Sequence, residues 1–474
     1  MKRALLAIVA VLAAATMGMV AMGGTTSSDP VSPSVTFNKD VLPILQKNCQ
    51  SCHRPGEIGP MPLLTYQQAR PWAKAIKVAV ATKKMPPWYA DPHYGEFANA
   101  RKLTPEQIAT LEAWADNGAP EGDAKDAPAP VQFTDGWQIK PDVIISMPHT
   151  LPVNASGTME YINIVLPTGF TKDTWIAAAE IRPRDRSVVH HAAVFIRPPG
   201  SRWLPGAKYG EPYIEKPGIQ RDANGFEIKQ PKATSEVPIQ LRQQTSDPTR
   251  VTGEDSEWLA AYIPGMQPWD FRLGNSAKLV PAGSDIVINL HFTPNGTAKE
   301  DAVDVGLVLA TEPPQHRYLT VESSAPHTMV IPANDPNFEV HSSLVFAKDV
   351  QLVWFQPHMH VRGKDMTYKV VYPDGRTDTL LSVPNYSFSW QLGYNVAKPI
   401  FLPKGTRIEV TAHFDNSANN PYNPNPNLNV PWGDQSWEEM MAAFMGVIVD
   451  DKSLEPAQVI EPKSARAQGS PASD

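Results

Sequence analysis

Residues 284–294 read "SDIVINLHFTP", and every second side chain from Ile286 to Phe292 is apolar. Successive side chains of a strand point to opposite faces. Ile286, Ile288, Leu290 and Phe292 therefore share one face, and Val287, Asn289 and His291 the other. The design returns in "TRIEVTAHFDN" (406–416), where Ile408, Val410, Ala412 and Phe414 alternate with Glu409, Thr411 and His413. Between them "VVYPDGRTDTLL" (370–381) reads as a hairpin turning on Pro373-Asp374-Gly375. This period-two pattern runs from residue 133 to 451 and breaks near "TEPPQH" (311–316), which predicts two all-β, jelly-roll-like sandwich domains, 133–313 and 314–451. The 48 prolines fit that class, as punctuation between short strands.

Upstream the pattern is helical. Thr65 and Gln68 make a capping box ahead of Trp72, Ile76 and Val80 at i, i+4, i+8. Thr104-Pro105-Glu106-Gln107 makes a second one, followed by Ile108, Leu111 and Trp114 on one face and Gly118 at the C-terminal cap. Residues 35–122 are thus expected to form a small all-α domain of the cytochrome c type, joined to the β region by a linker at 123–132. A chain of 474 residues has room for these three domains. Met1-Lys2-Arg3, the apolar run Ala4 to Met22, and the small residues Ala21 and Gly23 read as an export signal over 1–23, with a polar linker at 24–34. Its competing reading is an uncleaved anchor; no other stretch could span a bilayer. The expected location is periplasmic or secreted. Residues 452–474 are expected to be a disordered tail. A net charge of −7 with no Lys/Arg block argues against nucleic acid as partner.

The stretch "KNCQSCHRPGE" (47–57) holds the only two cysteines. Cys49 and Cys52 at this spacing, followed by His53, predict a covalent haem c with His53 as proximal iron ligand. A thioredoxin-like pair would want a βαβ context, and a zinc site two more ligands nearby. For the sixth ligand Met85 in "KKMPPW" is preferred over Met61 and His93, because it lies beyond a helix that can return it to the far face of the haem.

Five of the twelve histidines fall in three short apolar segments: His190 and His191 in "SVVHHAAVF", His291 in "NLHF", His358 and His360 in "FQPHMHVRG". Residues i and i+2 of a strand point the same way about 6.6 Å apart, so His358 and His360 can converge on one metal. Adjacent histidines can do so only at a bulge or strand end. Imidazole-rich sites suit copper, zinc or iron, and the chemistry alone does not choose. His149, His316, His327 and His341 read as ordinary hydrogen-bonded histidines; His413 could line a pocket or be a satisfied surface residue.

Taken in order over residues 140–450, "HH…LHF…HMH…WEEMM", with "INLHFTPNG" and "LPKGTRIEV", resembles the copper type II, ascorbate-dependent monooxygenases, the group that includes the peptidylglycine α-hydroxylating and dopamine β-monooxygenases. The resemblance implies two β domains, each holding one copper, facing across a solvent-filled cleft. His190, His191 and His291 would ligate the first, electron-relaying copper. His358, His360 and Met440 would ligate the second, catalytic one, with Met441 as the alternative if the register slips. A thioether there favours Cu(I). The departures are Gln356, where the peptide-amidating enzymes carry an arginine on the substrate carboxylate, and Ala442 and Phe444, where they carry Asn and Tyr. Peptide amidation is therefore not expected, and a small, more apolar substrate is.

The functional expectation is a monooxygenase that hydroxylates a C–H bond of a small molecule with O2. Its two electrons would come from ascorbate or a redox protein, passed through the haem and the first copper to the second. The alternatives are a non-catalytic haem and copper electron carrier, or a binding module whose histidines hold no metal.

Overall fold

The computed structural model describes residues 35–134, 136–214 and 256–461. The expected signal and polar linker (1–34) and the tail from residue 462 lie outside the described residues.

The protein is mostly β-sheet with a few short helices. A five-stranded sheet carries, in order, Pro212–Tyr213, Ile162–Pro167, Asp285–Phe292, Val189–Arg197 and Glu257–Tyr262. A four-stranded sheet is made of Phe338–Val345, Arg407–Phe414, Gly363–Val371 and Thr377–Val383. A nine-stranded sheet serves both halves. Its N-terminal part ends at Ser276–Val280, which pairs in parallel with His316–Ser324, and Ala442–Val449 and Val350–His358 follow. The two β halves are therefore fused through one continuous sheet at the predicted break, rather than strung as separate beads.

Alternation puts each face of that sheet into a different core. Along Ala442–Val449, Ala442, Phe444 and Ile448 pack into the N-terminal core with Trp258, Val353 and Trp354. Met441, Ala443, Met445, Val447 and Val449 pack into the C-terminal core with Phe355, Tyr368 and Phe414. Beside the parallel joint Lys278 is fully buried, its Nζ donating to Glu257 Oε1 (2.5 Å), the Trp258 carbonyl (2.7 Å) and Thr320 Oγ1 (3.0 Å). A buried ammonium is tolerated only with such complete pairing, and removing one partner costs about 3–5 kcal/mol.

Both quoted strands behave as their alternation requires. Ile286, Ile288, Leu290 and Phe292 enter the N-terminal core, and Val287 on the reverse face is covered by Leu204 and Val165. Ile408, Val410, Ala412 and Phe414 enter the C-terminal core.

The N-terminal region differs from expectation. Its helices are short (Leu42–Asn48, Tyr66–Ala69, Ala73–Ala81 and Pro105–Asp116) and share a small core around Phe37, Leu45, Leu111 and Trp114. A small all-α domain over 35–122 is not evident beyond these short helices and their one core. Ala90 and the rings of Trp88, Tyr89 and Phe97 pack instead into the C-terminal β core. Phe97 bridges Val396, and Ala98 N donates to the Asn395 carbonyl (2.8 Å). The apolar side chains of 88–97 found more surface to bury on the sheet than four short helices could offer. The expected linker is also laid down: Asp123 caps a turn at Ala124–Asp126, Gln46 Nε2 donates to the Ala129 carbonyl (2.9 Å), and Arg54 lies over the Phe133 ring. The chain beyond 451 stays structured to residue 461, through the helix Pro456–Val459 and a bridge between Phe346 and Ile460.

Candidate metal centre

The pairing of Val189–Arg197 with Asp285–Phe292 sets His291 opposite His191 and Phe292 opposite Val189. His190 is therefore the extra residue of a β-bulge, the irregularity that lets adjacent histidines turn to one side. His190, His191 and His291 bring one ring nitrogen each within 4.8 Å of the others. Nδ1 of His190 and Nδ1 of His291 are buried without a hydrogen-bond partner. His191 Nε2 meets the Tyr161 hydroxyl at 3.2 Å, and the Tyr161 ring stacks on His291 at 4.3 Å. Burial, then the neighbouring imidazoles, keeps all three uncharged: His190 is pushed down to about 4, and His191 and His291 well below their ordinary value.

His358 ends the strand Val350–His358, and His360 follows it, the rings 5.2 Å apart and nearly perpendicular. Each Nδ1 is engaged: His358 with Gln391 Oε1 at 2.6 Å, His360 with the Glu438 carbonyl at 3.0 Å. An Nδ1–H held by a carbonyl leaves Nε2 as the donor atom for a metal. Burial first of all pushes His358 down to about 4 and His360 to about 3. Glu439, fully buried, accepts the backbone N–H of His360 (2.9 Å) and of Arg362 on its two oxygens, and burial pushes its carboxyl up to about 8. Arg362 is buried beside it, donating to Asn416 Oδ1 (2.9 Å) and the Trp437 carbonyl (2.9 Å).

The register of Val350–His358 against Ala442–Val449 sets His358 opposite Ala442. Met441 turns into the C-terminal core, where its sulfur accepts from Ser342 Oγ (3.6 Å). Met440, just ahead of the strand, is half-buried and is not part of that core. Gln356 lies opposite Phe444, buried, with its carbonyl oxygen unpartnered.

The two histidine groups adjoin one another. The Phe388 ring lies 4.9 Å from His190 and 6.1 Å from both His291 and His360, and the Tyr161 ring 6.0 Å from His360. The Tyr161 and Phe388 rings thus each lie near members of both groups. Tyr161, Phe388, Gln391 and Glu439 were invisible to spacing arguments; only Glu439, next to Met440, had any motif to mark it.

Cys49 and Cys52 are half-buried and form no disulfide with each other. His53 Nδ1 meets the Met61 carbonyl at 3.1 Å, which leaves Nε2 as its donor atom. Gly59 is packed so closely on this turn that a Cβ there would lie 2.8 Å from His53 Nδ1. Glu57 accepts from Arg54 (2.8 Å) and, across the domain boundary, from Arg186 (2.6 Å), four residues before His190. Arg101 donates to the Gly265 carbonyl, and a Cβ on Gly265 would come within 2.9 Å of Cys52 Sγ. Tyr262 in the adjacent strand pairs with Ala192. The cysteine motif is thus pinned beside the strand of the first histidine group. Met85 is half-buried past the helix Ala73–Ala81, its amide on the Ala79 carbonyl.

Four further histidines have partners away from these groups. His413 sits between Asp365 (2.7 Å) and Glu339 (3.1 Å) on the outer sheet face, His341 beside Glu339, His316 beside Asp450, and His327 on the Trp432 ring.

No family model matches the chain, and no curated protein matches it. Among solved structures it is similar to PNGF-II (12% identity, TM-score 0.24, covering 65% of this chain and 64% of that one). It is also similar to the infectious bursal disease virus VP2 subviral particle (9%, 0.17, 70% and 77%) and the mavirus major capsid protein (7%, 0.17, 67% and 89%). Likeness at this level defines neither a fold family nor an activity for the chain.

Proposed function

We propose that the chain is an exported copper-dependent monooxygenase that hydroxylates a C–H bond of a small organic molecule with O2, and that its helical N-terminal region is a c-type cytochrome supplying it. The observation that carries the reading is the set of five imidazoles, three buried and two half-buried, that lie in two adjoining groups with their pKa values held below the ordinary one. Neutral nitrogen donors plus a thioether suit copper in both oxidation states better than they suit hard cations or zinc.

His190, His191 and His291 would hold one copper; His358, His360 and Met440 would hold the other. Cys49, Cys52, His53 and Met85 would hold one haem c. Met61 lends its carbonyl to the proximal side, and exposed His93 is paired with Asp91 at 2.6 Å, so neither suits the far face. When bound, the coppers would supply one-electron redox chemistry and activation of O2, and the haem electron storage. The protein's own contribution is positional. Gln391 and the Glu438 carbonyl aim Nε2 of His358 and His360, Glu439 ties the His360–Arg362 turn to the Met440 segment, and Tyr161 orients His191. Gln356, Ala442 and Phe444 offer no cation for a substrate carboxylate, which argues against peptide acids. Ascorbate or a redox protein would be the outside donor, and the periplasm or exterior the compartment where haem c is attached. None of the described helices is long and apolar enough to cross a membrane.

Metal analysis of periplasmically expressed, copper-reconstituted protein, with haem quantified by its pyridine spectrum, tests this. About two coppers per haem, with oxygen uptake that depends on an added organic substrate, is the expected result. Copper without substrate-dependent uptake would leave an electron carrier, and a haem without tightly bound copper would sink the reading.

A further inference from the structure

A cleft of about 200 Å³ opens on His291 and on Val361, the residue after His360. Its walls come from four separate stretches: Met159 and its neighbours, Phe292 to Pro294, Phe388, and the Asn/Pro-rich loop with Tyr422 and Pro424, closed by Ser436 and Trp437. Among the described residues no Asp, Glu, Lys or Arg lines it. An ion entering such a wall would lose its hydration without gaining a counter-charge, a penalty of several kcal/mol. A cavity of about 150 Å³ lined by apolar side chains accommodates benzene, whereas drug-sized ligands need about 300 Å³ or more, so this volume suits a single ring with a short substituent. Besides His291 Nδ1, the wall holds an unpartnered hydroxyl. Ser436 is 4% exposed, and its hydroxyl is buried without a hydrogen-bond partner.

We infer that this cleft is the substrate site, and that it takes a neutral, single-ring molecule whose one hydroxyl or carbonyl group bonds to Ser436 Oγ while its ring packs against Phe388, Met159 and Trp437. The inference names the substrate class of the proposed oxygenase and rests on that reading. An orphaned hydroxyl costs free energy that only a polar ligand atom recovers, so the cleft discriminates for one hydrogen-bonding group as well as against charge.

The test is calorimetric titration of the full-length, haem-loaded protein, with and without reconstituted copper, using benzyl alcohol, toluene, phenylacetate and benzylamine as probes. Benzyl alcohol is expected to bind several-fold tighter than toluene, and the two charged probes at least tenfold weaker than benzyl alcohol. Ser436→Ala should weaken benzyl alcohol about three- to tenfold and leave toluene unchanged. Tyr422→Ala, at an exposed rim position, should weaken both neutral probes alike. Charged probes binding as well as benzyl alcohol, or Ser436→Ala weakening toluene equally, would overturn the inference. Copper content is measured separately by elemental analysis. A cleft that selects neutral rings in protein that never binds copper would therefore fail the oxygenase and not the site, and copper-loaded protein indifferent to these probes would do the reverse.

Discussion

The two histidine groups lie side by side but are built on opposite principles. His190, His191 and His291 come from paired strands and a bulge, and two of their Nδ1 atoms are buried with nothing to bond. His358 and His360 come from a strand end and a turn, and both have Nδ1 fastened by a carbonyl, with Glu439 and Arg362 bracing the turn behind them. The first group is set mainly by backbone register and the bulge, with Tyr161 against two of its rings; in the second both Nδ1 atoms are held by carbonyl oxygens. In the copper reading this division has a use, since a relay needs donors in place whereas a reacting site needs its open position aimed.

The largest break in the comparison is expected from His291→Ala. Copper should fall from two ions to one per chain, with the survivor at the second group, as measured by elemental analysis and electron paramagnetic resonance. Loss of both would show the groups to be one site. The methionine pair gives the next contrast. Met441→Ala empties a core position and should cost about 2–5 kcal/mol in a denaturant melt with copper retained. Met440→Ala should leave the melt nearly unchanged and weaken Cu(I) at the second group; the opposite pattern would exchange their roles.

Acid should act on both groups together. An imidazole whose folded-state pKa lies below its ordinary 6.5 contributes full stability above that value and loses it as pH falls toward the folded one. For His190 and His358 the window runs from about 6.5 down to about 4, and for His360 to about 3. Glu439, raised to about 8, works the other way, favouring the fold as pH falls from 8 to its ordinary 4.5. Asp301, which burial raises to about 6, acts as Glu439 does, but five histidines outweigh two carboxyls, so copper-free protein should lose stability between about pH 6.5 and 4 in urea titrations. A flat profile there would mean that the rings are not buried neutral. Smallest in effect, Gln391→Ala should weaken the second copper by about 10–100-fold. Tyr161→Phe, touching only one of three ligands, should cost the first copper less. Equal losses would erase the distinction between a braced and an unbraced site.

Much of this was legible in the chain because it is local. Period-two alternation located both quoted strands and their buried faces, since the pleat itself dictates which side chains share a side. The bulge at His190 was foreseeable for the same reason: adjacent residues of a regular strand cannot face one ligand. Spacing also placed the cysteine motif and the His358/His360 pair. What no local rule reaches is which segments meet. Residues 88–97 carry aromatic rings that the helical region could not cover, and only the assembled C-terminal core offered them a surface. Gln391 approaches His358 from a separate loop, and Tyr161 approaches His191 from a separate strand end, at positions that no periodicity marks. The sequence by itself determined the strands, the thiol motif and the candidate ligands. Only the tertiary structure decided that one sheet fuses the two β halves, that the cysteine motif is pinned beside the first histidine group, and that the two groups adjoin. Those are outcomes of burying apolar surface across long sequence separations, a quantity that belongs to the whole chain and to no stretch of it.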